Sequence, residues 1–350
     1  MTDVLNVVFA PDWRSGVPYQ ELLAKALERH NVNVTFLGGY KRILPLSRLL
    51  KKRPFDILHL HWPEAYYPRK GDAFDWFRRA RFPFDLSAVT KRGVLAATAH
   101  NFLVHNRGDE PFAERNARCV HENAKVIFAH SDCAKQRLVE CLRVPVEKVR
   151  VCPHGDLSVA FGPPLSAAKA RCELGLGHEK IALIFGTVEP YKGLEEVIAW
   201  WRNAQPKVRL AIIGKPNTAE YGTQVLSQIG QDRNVIHRFG WLSNELLRLW
   251  LSAADVTVFN YREVFTSGAA SLARSFGIPI LLPKRLDTVD LGDPTPYVRR
   301  FTDFASDFEQ HLASALTVKP DFADAASWRE ACNWDNVARV VAGGYRDAIG

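Results

Sequence analysis

The sequence predicts an α/β protein of two domains, each built on a parallel β-sheet covered by helices on both faces. Three observations predict this class. Apolar runs of four to six residues alternate with longer amphipathic stretches along almost the whole chain, as expected for strands separated by helices. The runs are continuously apolar, which is typical of strands buried on both faces. The scheme occurs twice in 350 residues, a length that suffices for two domains.

Each half contains its own set of predicted strands. The first set is LNVVFA (5–10), VNVTFL (32–37), DILHLH (56–61), GVLAATAH (93–100), KVIFAH (125–130) and VRVCPH (149–154). The second set is KIALIFG (180–186), VRLAIIG (208–214), VIHRFG (235–240), DVTVFN (255–260) and IPILLP (278–283). Between the first two strands, Leu22, Leu23, Ala26 and Leu27 recur at helical spacing. The segment 156–170, with its Gly-Pro-Pro, is the predicted linker. The domains are therefore expected at 1–158 and 159–331, followed by a final helix at 332–350.

Composition narrows the class of protein. Hydrophobic residues make up 47 % and charged residues 24 % of the chain, the profile of a soluble globular protein. The N-terminus has no basic region before its apolar run and is interpreted as a first strand, not a signal peptide. Six cysteines without Cys-x-x-Cys pairing indicate reduced cytosolic thiols. The net charge of +8 favours nucleic acid, anionic lipid or phosphorylated substrates as partners, and does not choose among them.

Polar residues follow the predicted strands, where open parallel sheets bind ligands. In the first half they are 11–16, His59, His61, 100–101, 130–131 and 154–156, and in the second half 186–193, 214–215, 240–241 and 263–268. His59 and His61 share a strand face and have the spacing of metal ligands. Because no carboxylate or cysteine cluster joins them, no metal is expected there.

Four motifs of the second half occur in a characteristic order. They are FGTVEPYKGLEEVI (185–198), LAIIGKP, VIHRFGWLSNELLRLW and SAADVTVFNYREVFTSGAASLARSFGIPIL, and WDNVAR follows near the end. In this order the chain resembles the GT-B glycosyltransferases, especially the group with bacterial mannosyl- and glucosyltransferases of polysaccharide assembly. The resemblance implies two Rossmann-like domains whose parallel sheets face each other across a cleft. It also implies that the helix 332–350 crosses back to the first domain.

The same resemblance implies a nucleotide-sugar site in the second domain. A helix N-terminus attracts anions, and the small residues at 266–268 let phosphate oxygens approach the backbone. Glu263 would face the donor sugar's hydroxyls, and Lys192 would meet the diphosphate. The implied donor-binding residues are Gly186, Thr187, Lys192, Gly193, Glu263, Thr266, Ser267, Gly268 and Ser271. Two positions depart from the pattern: Ser271 stands where many relatives carry a ribose-binding glutamate, and Thr187 where a basic residue is common. Arg262 or Lys215 is a candidate to compensate.

The first half resembles a narrower group. APDWRSGVPYQELLAKAL, HLHWPE and TAHN are similar to bacterial β-mannosyltransferases of xanthan-type exopolysaccharide assembly. This similarity implies GDP-mannose as donor and a polyprenyl-diphosphate-linked oligosaccharide as acceptor, bound by the first domain. The candidate acceptor-binding residues are Arg14, Ser15, Gly16 and His61, and the candidate catalytic residues are Asp12, Glu64 and His100.

An inverting transfer needs a general base for the acceptor hydroxyl. Asp12 is the first candidate and Glu64 the second, whereas His100 is expected near the donor sugar's outer hydroxyls. An aspartate in such a turn is more often an N-cap, and a retaining transfer would need no such base. The stereochemistry therefore stays open.

Two segments of the first half, 41–55 and 73–84, interleave aromatic residues with arginine and lysine. This pattern fits an interfacial surface on anionic lipid, although it equally fits a core-facing helix with a solvated basic side. A lipid-linked acceptor would favour the first interpretation, a surface that contacts lipid. We therefore expect a cytoplasmic protein that is attached peripherally to the inner face of the cytoplasmic membrane. The resemblance implies metal-independent transfer without a cofactor, and the absence of Asp-x-Asp from the sequence fits this expectation. The alternatives are a retaining GT-B transferase using UDP-glucose or another donor, a GT-B-type epimerase, and a basic nucleic-acid-binding α/β protein.

Overall fold

The computed structural model describes residues 3–39, 44–51, 53–67, 75–101, 111–293, 295–319 and 321–350. The chain divides into two compact units, one formed by 1–155 with 332–350 and the other by 156–331. Each unit contains a six-stranded parallel sheet with helices. The predicted α/β class with two parallel sheets is therefore confirmed. The division falls after Gly155, close to the border predicted after residue 158.

The first unit alternates strands and helices as its apolar pattern predicts. Its elements are β1 (Leu5–Ala10), α1 (Tyr19–Leu27), β2 (Val32–Phe36), α2 (Pro45–Leu50), β3 (Ile57–Leu60), α3 (Asp75–Thr90), β4 (Val94–Thr98), α4 (Pro111–Asn123), β5 (Val126–Ala129), α5 (Asp132–Leu142) and β6 (Val149–Val151). The strand order is β2-β1-β3-β4-β5-β6. Every residue of β3 and β5 is buried, because helices cover both faces of this sheet. The carboxyl ends of β3 to β6 therefore lie next to one another.

The second unit repeats this architecture. Its elements are α6 (Ala167–Leu174), β7 (Lys180–Phe185), α7 (Leu194–Ala204), β8 (Val208–Gly214), α8 (Ala219–Ile229), β9 (Val235–Phe239), α9 (Asn244–Ala253), β10 (Val256–Val258), α10 (Gly268–Ser275), β11 (Ile280–Pro283), β12 (Val298–Phe301), α11 (Phe308–Thr317) and α12 (Phe322–Ala331). The strand order is β12-β11-β10-β7-β8-β9. Its core surrounds the fully buried Trp201, Phe301 and Phe308.

The edge strand β12 is an element that the sequence pattern did not predict. Its sequence, VRRF, places two half-buried arginines between buried residues. In the described part of the chain, its strand partner is β11, and it lies at the edge of the sheet. Because an edge strand needs no continuous apolar run, its sequence lacks the signal that identified the other strands.

The last helix, α13 (Trp334–Ile349), packs in the first unit against α1 and β5. Asn333 caps its N-terminus by accepting a hydrogen bond from the backbone N–H of Asn336. Val337, Val341 and Tyr345 form its buried face, at the spacing of one helix face. The chain thus returns to the first unit after completing the second. Among the described residues, no helix is long and apolar enough to cross a membrane.

Candidate active site

In the second unit, two glycines bring the carboxyl ends of β7 and β8 together. Gly186 follows β7 with φ +90°, and Gly214 ends β8 with φ +142°. A Cβ on Gly214 would lie 1.9 Å from the carbonyl oxygen of Gly186. Only glycine fits this contact and this backbone conformation. This edge of the sheet is therefore formed by main chain rather than by side chains.

Lys192 lies beside Gly186 at the same edge. Its side chain is only 5 % exposed, and its Nζ donates a hydrogen bond to the carbonyl oxygen of Phe185 (3.0 Å). A Cβ on Gly186 would stand 3.1 Å from this Nζ. Burial lowers the pKa of Lys192 to about 8, although the carboxylate of Glu189 acts in the opposite direction. An anion bound here would compensate the buried ammonium and raise its pKa again.

The beginning of α7 is attached to the loop that follows β10. Gly193 has φ +59°, and a Cβ there would lie 2.6 Å from Nδ2 of Asn260. The Asn260 side chain donates to the carbonyl oxygen of Gly193 (2.9 Å) and accepts from Nη2 of Arg285 (3.1 Å). These bonds hold Lys192 and Gly193 next to the loop 263–268, whose residues are predicted from the sequence to bind the donor's sugar and phosphates.

That loop leads into the N-terminus of α10. Ser267 accepts a hydrogen bond from the backbone N–H of Ala270 (3.1 Å) and caps the helix. Gly268 begins the helix, and Thr266 and Gly268 are half-buried, whereas Glu263 is exposed. Ser271 is 3 % exposed, and its buried Oγ finds no hydrogen-bond partner in the described part of the chain. The first turn of α10 thus combines small residues with a polar group whose hydrogen-bonding capacity is unused.

Tyr261 connects Lys192 with the α10 N-terminus, a role that the sequence did not predict. Its buried ring centre is 5.7 Å from Nζ of Lys192, which is within cation–π range. Burial raises the pKa of Tyr261, whereas a hydrogen bond with Ser267 acts in the opposite direction. Tyr261 directly follows the predicted buried strand 255–260, and nothing in its local sequence indicates a contact with Lys192.

The two cations suggested as compensating groups are placed differently. Arg262 forms ion pairs with Glu195 (3.2 Å) and Glu196 (2.9 Å) of α7. Lys215 is exposed after β8, and Thr187 is exposed after Gly186. Because Arg262 already has two carboxylate partners, its charge is compensated within the protein. Lys192 is thus the buried cation that the structure brings to this edge.

In the first unit, Asp12 is held by its near neighbour Arg14. The guanidinium donates from Nε to Oδ1 (3.0 Å) and from Nη2 to Oδ2 (2.9 Å) of the carboxylate. The hydrogen bond from Arg14 lowers the pKa of Asp12, against the effect of partial burial. A carboxylate with a lowered pKa is a weaker base, so this pair opposes the base role predicted for Asp12. Arg14 also lies 3.8 Å over the ring of Phe36, while Ser15 and Gly16 form the exposed turn that follows.

Glu64 lies in the helical turn Pro63–Tyr66 after β3 and is half-buried. Its Oε1 accepts a hydrogen bond from Nδ2 of Asn101, which follows β4. The neighbouring ends of β3 and β4 bring these two residues together. The base role predicted for Glu64 stays a prediction.

Four histidines converge at the carboxyl edge of the first sheet, and we call them the histidine cluster: His61, His100, His130 and His154. Nδ1 of His61 is 3.3 Å from Nε2 of His100, and Nδ1 of His100 is 3.4 Å from Nε2 of His130. Nδ1 of His130 is 2.9 Å from the carbonyl oxygen of Cys152. Of these residues, His61 and His100 are the two that the sequence predicts as acceptor-binding and catalytic residues. His130 and His154 lie among the polar residues predicted at the strand ends.

The hydrogen bond to Cys152 determines the tautomers along this chain. A carbonyl only accepts, so Nδ1 of His130 carries the proton and its Nε2 accepts from His100. His100 then accepts at Nε2 from Nδ1–H of His61. Burial lowers the pKa of His130 to about 4 and that of His154 to about 3, and lowers those of His61 and His100 well below the usual value. The cluster is therefore neutral at pH 7.

Aromatic rings enclose the cluster. Trp62 stacks on His100 at 4.1 Å between ring centres, and Tyr19 contacts His100 edge-on at 4.9 Å. His61 is 0 % and His100 3 % exposed. The predicted contacts of His61 with acceptor and of His100 with donor sugar stay predictions. Both side chains lie inside the first unit, with ring nitrogens directed at other imidazoles.

The segments predicted to contact lipid are only partly described. Residues 41–43, 52 and 73–74, and the side chains of 49 and 75–80, lie outside the described part. In the remainder, Phe84 is 75 % exposed and Leu44 37 % exposed. A groove of about 650 Å³ between α2 and α3 is lined by Leu44, Ser47, Arg48, Lys51, Ala88 and Arg92. Apolar surface and cations thus occur together on this side of the first unit.

Both units have the Rossmann-like architecture of the GT-B fold. Solved structures agree along nearly the whole chain. Sucrose-phosphate synthase from Thermosynechococcus elongatus superposes with TM-score 0.73 at 15 % identity, covering 98 % of each chain. The catalytic domain of starch synthase IV from Arabidopsis thaliana, bound to ADP and acarbose, gives 0.69 at 14 % identity over 99 % of this chain and 100 % of that one. Anabaena HepE in complex with UDP and glucose gives 0.67 at 13 % identity over 98 % and 100 %. The chain has the GT-B glycosyltransferase fold, as its motifs predicted.

Curated relatives point to a narrower group. Two GDP-mannose:glycolipid 4-β-D-mannosyltransferases from Xanthomonas campestris pv. campestris are 32 % and 26 % identical over 236 residues, which are 65 % of this chain and 61 % of each relative. The chain thus spans about three fifths of the length of the curated relatives it matches. No protein-family model matches it.

Proposed function

We propose that the protein is a hexosyltransferase that moves mannose from GDP-mannose to a polyprenyl-diphosphate-linked oligosaccharide in bacterial exopolysaccharide assembly. The observation that carries this proposal is the buried Lys192, held beside the glycine-lined ends of β7 and β8. Similarity to the two mannosyltransferases supports the donor and the acceptor class.

The second unit would bind the donor. Its diphosphate would accept hydrogen bonds from Lys192 and from the free N–H groups at the α10 N-terminus, where Ser267 and Gly268 lie. Ser271 would use its buried Oγ on the ribose, and Glu263 would bind hydroxyls of the sugar. Positive charge at Lys192 would stabilise the diphosphate as it leaves. In this scheme the leaving group needs neither a metal ion nor a cofactor.

The first unit would bind the acceptor and supply the base. A β-linked product from the α-linked donor requires inversion at the anomeric carbon. The acceptor oxygen would therefore attack this carbon while the bond between the carbon and the diphosphate oxygen breaks. We assign the acceptor proton to Glu64 in preference to Asp12, because Arg14 lowers the pKa of Asp12. Asp12 and Arg14 would then orient the acceptor as a pair.

Incubation with radiolabelled donors and a membrane lipid extract tests the proposal. GDP-mannose should transfer label into the lipid fraction, and UDP-glucose should not; UDP-glucose is included because solved GT-B relatives bind UDP. Glu263→Ala should abolish transfer, whereas Glu309→Ala, an exposed glutamate on α11, should match wild type. If label is transferred from UDP-glucose and not from GDP-mannose, the proposed donor is wrong. Transfer that requires added Mg²⁺ or Mn²⁺ would contradict the metal-independent leaving group.

We also propose that the protein is peripheral on the inner face of the cytoplasmic membrane. The exposed Phe84 and the groove with its arginines and lysine support this, since aromatic rings enter the headgroup layer while cations attract anionic lipid. Flotation with anionic liposomes should recover the wild type, and Phe84→Ser should weaken recovery. Trp241→Ser, which changes an equally exposed aromatic residue of the second unit, is the matched control. Absence of the wild type from the floated fraction would refute membrane attachment.

A further inference from the structure

Three members of the histidine cluster meet closely enough to share a ligand. His100, His130 and His154 each offer one nitrogen, and these nitrogens all lie within 4.8 Å of one another. We propose that they form a binding site for a divalent first-row transition-metal ion such as Zn²⁺ or Co²⁺. The inference is independent of the proposed donor site, which lies in the other unit.

The spacing fits a tetrahedral ion. With Zn–N bonds of about 2.0–2.1 Å, two ligands of a tetrahedral site are about 3.3–3.4 Å apart. Nδ1 of His100 and Nε2 of His130 are 3.4 Å apart. A small movement of His154 toward this pair would complete three corners of the tetrahedron. The fourth corner would take water, as in zinc sites with three protein ligands.

The surroundings orient the nitrogens as a metal requires. Ligating histidines typically donate their second N–H to a carbonyl or a similar group, and His130 does so toward Cys152 at 2.9 Å. This leaves the lone pair of Nε2 directed at the site. The buried Nδ1 of His154 has no hydrogen-bond partner among the described residues. Nε2 of His130 is therefore suited to coordinate, and no hydrogen bond competes for Nδ1 of His154 among the described residues.

His100 can become a ligand by a change of tautomer. Its Nδ1 proton now points at His130, and its Nε2 is 3.3 Å from Nδ1 of His61. If His100 carries its proton on Nε2, it donates to His61 instead and its Nδ1 is available to the ion. His61 then shifts its own proton to Nε2, so the number of protons is conserved.

The donor set selects the class of ion. Imidazole nitrogens suit Zn²⁺, Co²⁺, Ni²⁺ and Cu²⁺, whereas Mg²⁺ and Ca²⁺ prefer oxygen ligands. The group consists of histidines without a carboxylate. No metal was predicted from the sequence, because the i, i+2 pair His59 and His61 has no further ligands near it in the chain. The proposed ligands lie on separate chain segments that sheet formation brings together.

Cobalt titration of the tag-free 350-residue chain tests this site. After EDTA treatment and desalting, Co²⁺ should bind at one equivalent and produce the intense visible bands of tetrahedral cobalt. His154→Gln and His130→Gln should weaken binding by at least about 100-fold, because loss of an outer-shell partner alone costs 10–100-fold. His121→Gln is the matched control, since His121 is a buried histidine of α4 outside the group.

Circular dichroism should establish that each variant is folded before titration. His154→Gln keeps the test valid if His130→Gln, which also breaks the bond to Cys152, fails to fold. Three results would overturn the inference: a folded wild type that binds no Co²⁺, His154→Gln with unchanged affinity, or equal loss in His121→Gln. Transfer activity is not read in this experiment, so its outcome is separate from that of the proposed function.

Discussion

Replacing Lys192 with methionine should stabilise the protein and abolish donor binding. Methionine has a similar length and no charge. An ammonium whose pKa falls from 10.5 to about 8 costs the folded state about 3 kcal/mol at pH 7. Because the folded-state pKa is lowered, this penalty is present at pH 7 and disappears as the pH rises toward 10.5. Lys192→Met should therefore gain up to about 3 kcal/mol, less the lost hydrogen bond to Phe185, which contributes about 1 kcal/mol.

Urea denaturation at pH 7, with and without GDP-mannose, measures both effects. Donor at 100 times its dissociation constant should stabilise wild type by about 2.7 kcal/mol and should leave Lys192→Met unchanged. Lys207→Met, which removes an exposed lysine before β8, should behave as wild type in both conditions. If Lys192→Met is less stable than wild type, burial of the ammonium is not costly and the reasoning fails. If the variant is still stabilised by donor, Lys192 does not hold the diphosphate.

Three further predictions test the strand ends, the buried imidazoles and the base. Gly214→Ala should destabilise the second unit by more than about 2 kcal/mol, because its Cβ would clash with the carbonyl of Gly186; a urea midpoint equal to wild type would contradict this. Burial lowers the pKa of His59 to about 3 and of His121 to about 4, so stability should fall as the pH drops below about 6.5, by about 1.4 kcal/mol per pH unit for each group. Urea titrations between pH 7 and 5 measure that slope, which His121→Gln should reduce. Glu64→Gln should lower kcat by about 10²–10⁴ while Asp12→Asn keeps more activity, and the reverse order would return the base to Asp12.

The structural elements were predictable because their signal is local. A continuous apolar run indicates a strand that is buried on both faces, whatever its position in the sheet. This pattern predicted the eleven strands β1 to β11. β12 escaped because an edge strand tolerates arginine. The Lys-Gly motif before α7 and the small residues before α10 were also predictable. Close backbone approach requires glycine or other small residues, and a helix N-terminus has characteristic capping residues, so both are visible in the local sequence.

The chain alone determined the α/β class, the division into two sheets and the residues that surround the strand ends. Tertiary structure alone decided the partners of those residues. Arg14 neutralises Asp12, Arg262 pairs with two glutamates of α7, and Tyr261 connects Lys192 with Ser267. His100, His130 and His154 meet because β4, β5 and β6 are parallel neighbours. Side chains tens of residues apart acquire common electrostatics only when the sheet aligns its carboxyl ends, and periodicity along one segment carries no information about that alignment.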